Sequence, residues 1–74
     1  IYSMTTLKEK FKDSLIPTVQ RMIEKESAHL EKMQKAVEEH PHILQAHQFV
    51  ERSKKDLAHY ETRLKEYEEY AQNL

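Results

Sequence analysis

No cysteine and no glycine occur in these 74 residues, tryptophan is absent, and only two residues are proline. Without cysteine there is neither a disulfide scaffold nor a zinc ribbon, and without glycine no Gly-rich loop can cradle a phosphate, which removes most nucleotide enzymes. Charge of neither sign dominates: twelve basic against thirteen acidic side chains leave a net charge of −1, so the balance favours no polyanion such as DNA. No apolar run approaches the roughly 20 residues that a membrane-spanning helix needs, and the opening residues lack the charged-then-apolar order of a signal peptide. A cytoplasmic protein that meets no membrane is therefore expected. Ile1, Tyr2 and Ser3 precede a Met4 that can serve as a native start, and they carry no weight in the reading. So short a chain lies near the lower limit at which one core supports a fold unaided, and further burial has to come from shape or from partners.

What the chain does contain is a heptad pattern. From Ile43 to Leu74 the a positions are Ile43, Val50, Leu57, Leu64 and Ala71, and the d positions are Ala46, Ser53, Tyr60, Tyr67 and Leu74. Ser53 alone among them is polar, and the register does not slip, which is the pattern of a helix that lies along another helix. Upstream, Val19, Ile23, Glu26, Leu30, Met33 and Val37 alternate steps of four and three, a second seam with one acidic intruder. Ala36 and Met22 widen that stripe. Between the seams stands Glu38-Glu39-His40-Pro41-His42, where proline restrains His40 away from helical angles and Pro41 is acceptable as the first residue of the next helix. So short a connection makes the two helices antiparallel neighbours.

At the other end, Thr6-Leu7-Lys8-Glu9 fits the capping box that opens a helix, and Met4, Leu7, Phe11 and Leu15 make an amphipathic face. Pro17 offers no amide hydrogen to the carbonyl of Asp13 and disfavours helical geometry at Ile16, so a break or sharp kink is expected between Asp13 and Pro17. The predicted helices therefore run over about 5–15, 17–39 and 42–72, in a single helical domain. The fold class is all-α: an antiparallel, coiled-coil-like hairpin with a short N-terminal helix. Its intrachain seam is formed by Ile23, Leu30, Met33, Val37, Ile43, Val50, Leu57, Tyr60, Leu64 and Tyr67.

Folding at Pro41 makes facing residue numbers sum to roughly 82 by reflection about the turn. Val37 then faces Gln45 and Ala46, Leu30 faces Arg52 and Ser53, and Ile23 faces His59 and Tyr60. Glu26 and His29 come near Ser53 and Asp56, which suggests a polar layer that fixes register, as a single polar a or d residue does in coiled coils. The exposed pairs Glu31/Lys35, Glu51/Lys55 and Glu61/Lys65 have the favourable i,i+4 order and read as a solvated face.

Chemistry-bearing constellations are weak. His40, His42, His47 and Glu39 form the best histidine cluster, but His42 and His47 are five apart, off the spacing that shares a helix face, so no metal site and no cofactor are assigned. His29-Leu30-Glu31-Lys32 resembles the His-x-x-Lys of histidine phosphotransfer domains, which present a phosphorylatable imidazole on a helical bundle. Those domains follow the lysine with glycine, and Met33 stands there in this chain. The dimeric helical chorismate mutases are not much longer, but their sites converge several arginines and a lysine on a dicarboxylate. Here Arg21, Arg52 and Arg63 lie largely outside the apolar stripes, and no catalytic triad can be assembled. No enzyme is expected. The basic groups Lys8/Lys10/Lys12 and Arg52/Lys54/Lys55 either spread round a helix or have acidic neighbours, so nucleic acid is disfavoured as a partner.

Phe49 and Tyr70 fall at g positions beside the seam, where a lone two-helix hairpin leaves them partly uncovered. With Leu7, Phe11 and Leu44 they form the expected partner surface. The expected function is a non-enzymatic helical interaction module, an adaptor, regulator or assembly component. It would dimerise with itself into a helical bundle, bind another helical protein, or both. The alternatives are a small nucleic-acid-associated regulator dimerised through its helices and a fragment of a longer coiled-coil protein.

Overall fold

The computed structural model describes the backbone of residues 4–74 and the side chains from Thr6 onward. Every element among the described residues is helical. Helix α1 spans Met4–Lys10, a π-helical turn spans Phe11–Leu15, α2 spans Ile16–Glu39 and α3 spans Leu44–Asn73. The two long helices pack against each other in a hairpin-like arrangement measuring 56 × 17 × 14 Å. Phe11 lies against Tyr67 and Tyr70 at one end, while Val37 shares a shallow cleft with His47 and Val50 at the other, so α3 runs back along the first arm.

Of the break or sharp kink expected between Asp13 and Pro17, the break does not occur: the α-helix gives way to a π-turn over Phe11–Leu15 and the backbone stays helical. Leu15 and Ile16 keep right-handed helical angles (φ −68°, ψ −49° and φ −62°, ψ −50°), although the residue before a proline disfavours them. The chain solves the proline problem by widening the helix: the Ile16 amide donates to the Phe11 carbonyl, five residues back. A π-turn absorbs one extra residue, which relieves the crowding that Pro17 would cause in a regular helix. Thr18 Oγ1 supplements the ladder by donating to the Ser14 carbonyl at 2.7 Å.

The extra residue also sets which side chains meet α3. At about 100° per residue, a five-residue step in a regular helix overshoots a full turn by about 140° and would throw Phe11 to the far side. The wider π-turn brings Phe11 back onto the seam behind Ile16 and Val19. Phe11 is accordingly half-buried, its ring edge-on to Tyr67 at 5.6 Å, and Val19 is only 5% exposed. Leu15, expected on the packed face with Phe11, is instead exposed. Met4, the fourth member of that expected face, has a side chain outside the described residues. The capping-box reading also shifts: α1 already includes Met4, so Thr6 sits inside the first turn and does not precede it.

At the other end the chain leaves α2 through His40, whose amide donates to the Ala36 carbonyl at 2.8 Å. The Ile43 amide then donates to the His40 carbonyl at 3.1 Å, closing a β-turn with proline at its second position. Pro41 therefore belongs to the turn and not to the next helix, and α3 begins at Leu44 with Ile43 as an extended, apolar N-cap (φ −87°, ψ 103°). No side chain caps this helix. His47, one turn inside it, reaches back and donates from Nε2 to the Pro41 carbonyl at 2.7 Å, tying the helix to its turn.

Little of the molecule is deeply buried. Among the described residues only Val19, Ala46, Val50 and Ser53 fall into the buried class, and no large side chain is wholly enclosed. A single layer of contact between two helices explains this, since each side chain in it has a neighbour on one side and solvent on the other.

Candidate interaction surface

The contact between α2 and α3 is apolar. Ile23, Leu30, Met33 and Val37 of α2 and Leu57, Tyr60, Leu64 and Tyr67 of α3 are half-buried, and Val50 is buried. Ile43 departs from the expected seam: as N-cap it stands at the turn and is 40% exposed. Among the described residues no hydrogen bond or ion pair joins a side chain of α2 to one of α3. Of the expected polar layer, Ser53 is buried and Glu26 half-buried on the seam, whereas His29 and Asp56 face solvent. The exposed pairs also differ, since Glu51 Oε1 lies 3.5 Å from Lys54 Nζ, one residue short of Lys55.

Of the expected partner surface, Leu7, Leu44, Phe49 and Tyr70 are 42%, 68%, 49% and 57% exposed. Phe11 is half-buried, against Tyr67 and Tyr70 of its own chain. Leu15, Met22 and Ile43 join the exposed set, at 38%, 36% and 40%. The sequence signal for Leu15 and Met22 is their position immediately before Ile16 and Ile23, which with Leu30 and Val37 recur every seven residues as the a positions of the first arm; it is hidden because Leu15 also fits the N-terminal apolar face and Met22 a widened stripe.

These residues are not scattered. On α2 the side chains one before the a positions are Leu15, Met22, His29 and Ala36; on α3 they are Phe49, Asp56, Arg63 and Tyr70. Because α3 runs back along α2, these two rows flank the seam on the same side of the molecule. Allowing for the residue that the π-turn inserts, Leu7 extends the first row. Five of the seven exposed large apolar side chains, Leu7, Leu15, Met22, Phe49 and Tyr70, therefore share one flank, and the other two, Ile43 and Leu44, stand at the turn. The opposite flank carries Gln20, Ser27 and Gln34 from α2 and His47, Lys54, Glu61 and Glu68 from α3, without an apolar residue. Gln34, His47 and Lys54 line one shallow cleft there.

The groups weighed for chemistry are dispersed. Arg21 Nη2 donates to Thr18 Oγ1 at 3.3 Å, Arg63 Nη2 donates to His59 Nε2 at 3.0 Å, and Arg52 is exposed, so the arginines do not converge. His40 and His42 sit edge to face with ring centroids 6.2 Å apart, while His47 holds the Pro41 carbonyl. No group of three or more His, Cys, Asp or Glu side chains among the described residues is placed to hold a metal ion. Lys8 and Lys12 share a cleft with Glu68, and Lys54 lies beside Glu51, so acidic neighbours accompany both basic groups. No helix among the described residues is long and apolar enough to cross a membrane.

No protein-family model, no curated protein and no solved structure matches this chain.

Proposed function

We propose that this protein is a non-enzymatic, cytoplasmic interaction module: an antiparallel coiled-coil hairpin whose apolar flank binds helices, first of all those of a second copy, to form a four-helix bundle. The observation that carries the reading is the one-sided distribution of Leu7, Leu15, Met22, Phe49 and Tyr70. A solvated rod has no physical reason to gather its exposed apolar side chains on one flank and keep the other polar, whereas a surface that loses water on binding does.

Surface area supports the same reading. The chain exposes 6056 Å² at a mass of 8.9 kDa, where a compact monomer of that mass exposes roughly 4,800 Å². The excess of roughly 1,200 Å² exceeds the about 800 Å² that each partner contributes to a standard interface.

Sedimentation equilibrium over a hundredfold range of concentration tests the proposal. The expected result is a reversible doubling of mass for wild type that Phe49→Glu abolishes while its far-ultraviolet circular dichroism stays helical. A wild-type chain that remains monomeric throughout would overturn self-association.

A further inference from the structure

If two copies associate through the apolar flank, as the proposed function has it, the side chains on that flank decide how they are oriented. By the heptad register of the two helices, Leu15 is assigned the level of Tyr70, Met22 that of Arg63, His29 that of Asp56 and Ala36 that of Phe49. The flank is thus a ladder whose two ends are apolar and whose middle carries His29 on α2 and one acid and one base on α3. Asp56 and Arg63 are two helical turns apart, about 10 Å. Among the described residues neither has an ion-pair partner in its own chain: Asp56 is exposed, and Arg63 is half-buried with a guanidinium nitrogen 3.0 Å from His59 Nε2.

Two copies can lay this flank together with closed two-fold symmetry and aligned helices in two ways. In the turn-to-tail arrangement the turns lie at opposite ends, α2 stacks on α2 and α3 on α3. The stagger that brings the acid and the base of the α3 row together sets the two-fold axis midway between Asp56 and Arg63. Asp56 of each copy meets the partner's Arg63, Phe49 meets the partner's Tyr70, and Ala36 meets the partner's Leu15. On α3 every level is matched, charge with opposite charge and aromatic with aromatic; on α2 small Ala36 meets large Leu15, and Met22 meets His29. In the turn-to-turn arrangement α2 stacks on α3, which sets Arg63 over the partner's Met22 and Asp56 over the partner's His29. That order covers a guanidinium with a thioether, sets each carboxylate on an imidazole and leaves Arg63 without an acidic partner.

We infer that a second copy of this chain docks turn-to-tail on the flank, held in register by two reciprocal Asp56–Arg63 pairs. Opposite charges at the centre of an otherwise apolar interface select orientation more than they add affinity, because any other stagger removes a charge from water without its counterpart. The self-complementary sequence of the α3 row, Phe49, Asp56, Arg63, Tyr70, is what an isologous interface requires, since each position has to match its image across the axis. The arrangement also keeps all four helices antiparallel to their neighbours.

Charge exchange and cross-linking test this together. Asp56→Arg and Arg63→Asp should each weaken self-association about tenfold, by removing two surface pairs and opposing like charges in their place. The double exchange Asp56→Arg/Arg63→Asp should recover most of the loss, and an equimolar mixture of the two single variants should associate as a heterodimer. Since the chain has no cysteine, single cysteines report orientation cleanly. A mixture of Ala36→Cys and Leu15→Cys chains treated with a short bis-maleimide should give the cross-linked pair at high yield, and neither variant alone should. A stable wild-type dimer without that cross-link, or one indifferent to both charge variants, would overturn turn-to-tail docking and leave helix binding standing. Absence of any wild-type dimer would overturn self-association itself.

Discussion

Phe11→Ala and Leu15→Ala, made side by side, test whether the π-turn sets the phase of the first arm. Both residues belong to one regular apolar face in a plain helix, but the wide turn puts Phe11 on the seam and Leu15 beside it. Truncating a fully buried phenylalanine costs about 3–5 kcal/mol, and Phe11 is half-buried. A loss of about 2 kcal/mol is therefore expected, including its contacts with Tyr67 at 5.6 Å and Tyr70 at 6.2 Å. A chain of this length has about 4–11 kcal/mol of stability in all, and each kcal/mol moves the melting temperature by about 4–8 °C. Phe11→Ala should then lower it by about 8–16 °C. Leu15 is exposed, so its truncation should cost the lone chain about 0.5 kcal/mol. Urea unfolding followed by circular dichroism, at the lowest workable concentration and again at a hundredfold higher, separates the two. The Phe11→Ala loss is present at both; the Leu15→Ala loss grows with concentration as its flank meets a second copy. Equal losses at low concentration would refute the reasoning, because both side chains would then be packed within one chain.

Three further outcomes follow from the same geometry. Deleting Lys12 together with Pro17→Ala removes both the extra residue and the reason to accommodate it, so the melting temperature should not fall; deleting Lys25, within α2, should lower it by more than about 10 °C by rotating one half of the seam away. A comparable fall in both would mean that the π-turn does not adjust phase. Glu26→Leu should stabilise by about 1 kcal/mol by replacing a half-buried carboxylate on the seam. Ser53→Leu should instead cost about 1–3 kcal/mol because the site is already filled by a small side chain, leaving Ser53→Ala as the tolerated change, and thermal melts of the three distinguish these signs. His47→Ala should cost about 1 kcal/mol through loss of the bond to the Pro41 carbonyl, and a melt indistinguishable from wild type would show that the turn holds without it.

Helix α3 was legible because its heptads run without a slip, and a strict repeat leaves one face only for the seam. The first arm was harder. Leu15 and Ile16 are adjacent and both apolar, so spacing alone cannot say which one packs; the choice depends on the phase of α3 opposite, which a local pattern does not contain. Pro17 reads as a break because a missing amide is costly in a regular helix, yet a helix that widens for one turn loses little. Pro41 suits the first turn of a helix and the second position of a β-turn equally, since both need the same φ, and the His47 bond that accompanies the turn spans six residues. The apolar flank was half visible: Phe49 and Tyr70 stood out at g positions, while Leu15 and Met22 were absorbed into stripes that looked wider than they are.

The π-turn can be thought of as a phase boundary in a periodic signal. Residues before Phe11 keep the repeat in one phase and residues from Ile16 onward keep it in another, offset by a single position, with Phe11 between them against Tyr67 and Tyr70 of α3. Substitutions at Leu7 and at Met22 should therefore fall into one tolerance class although fifteen positions separate them, a distance that no multiple of seven reaches. Scanned with a fixed seven-residue window, the first arm would look as if it ended at Leu15; its packing runs through that point, one residue out of step.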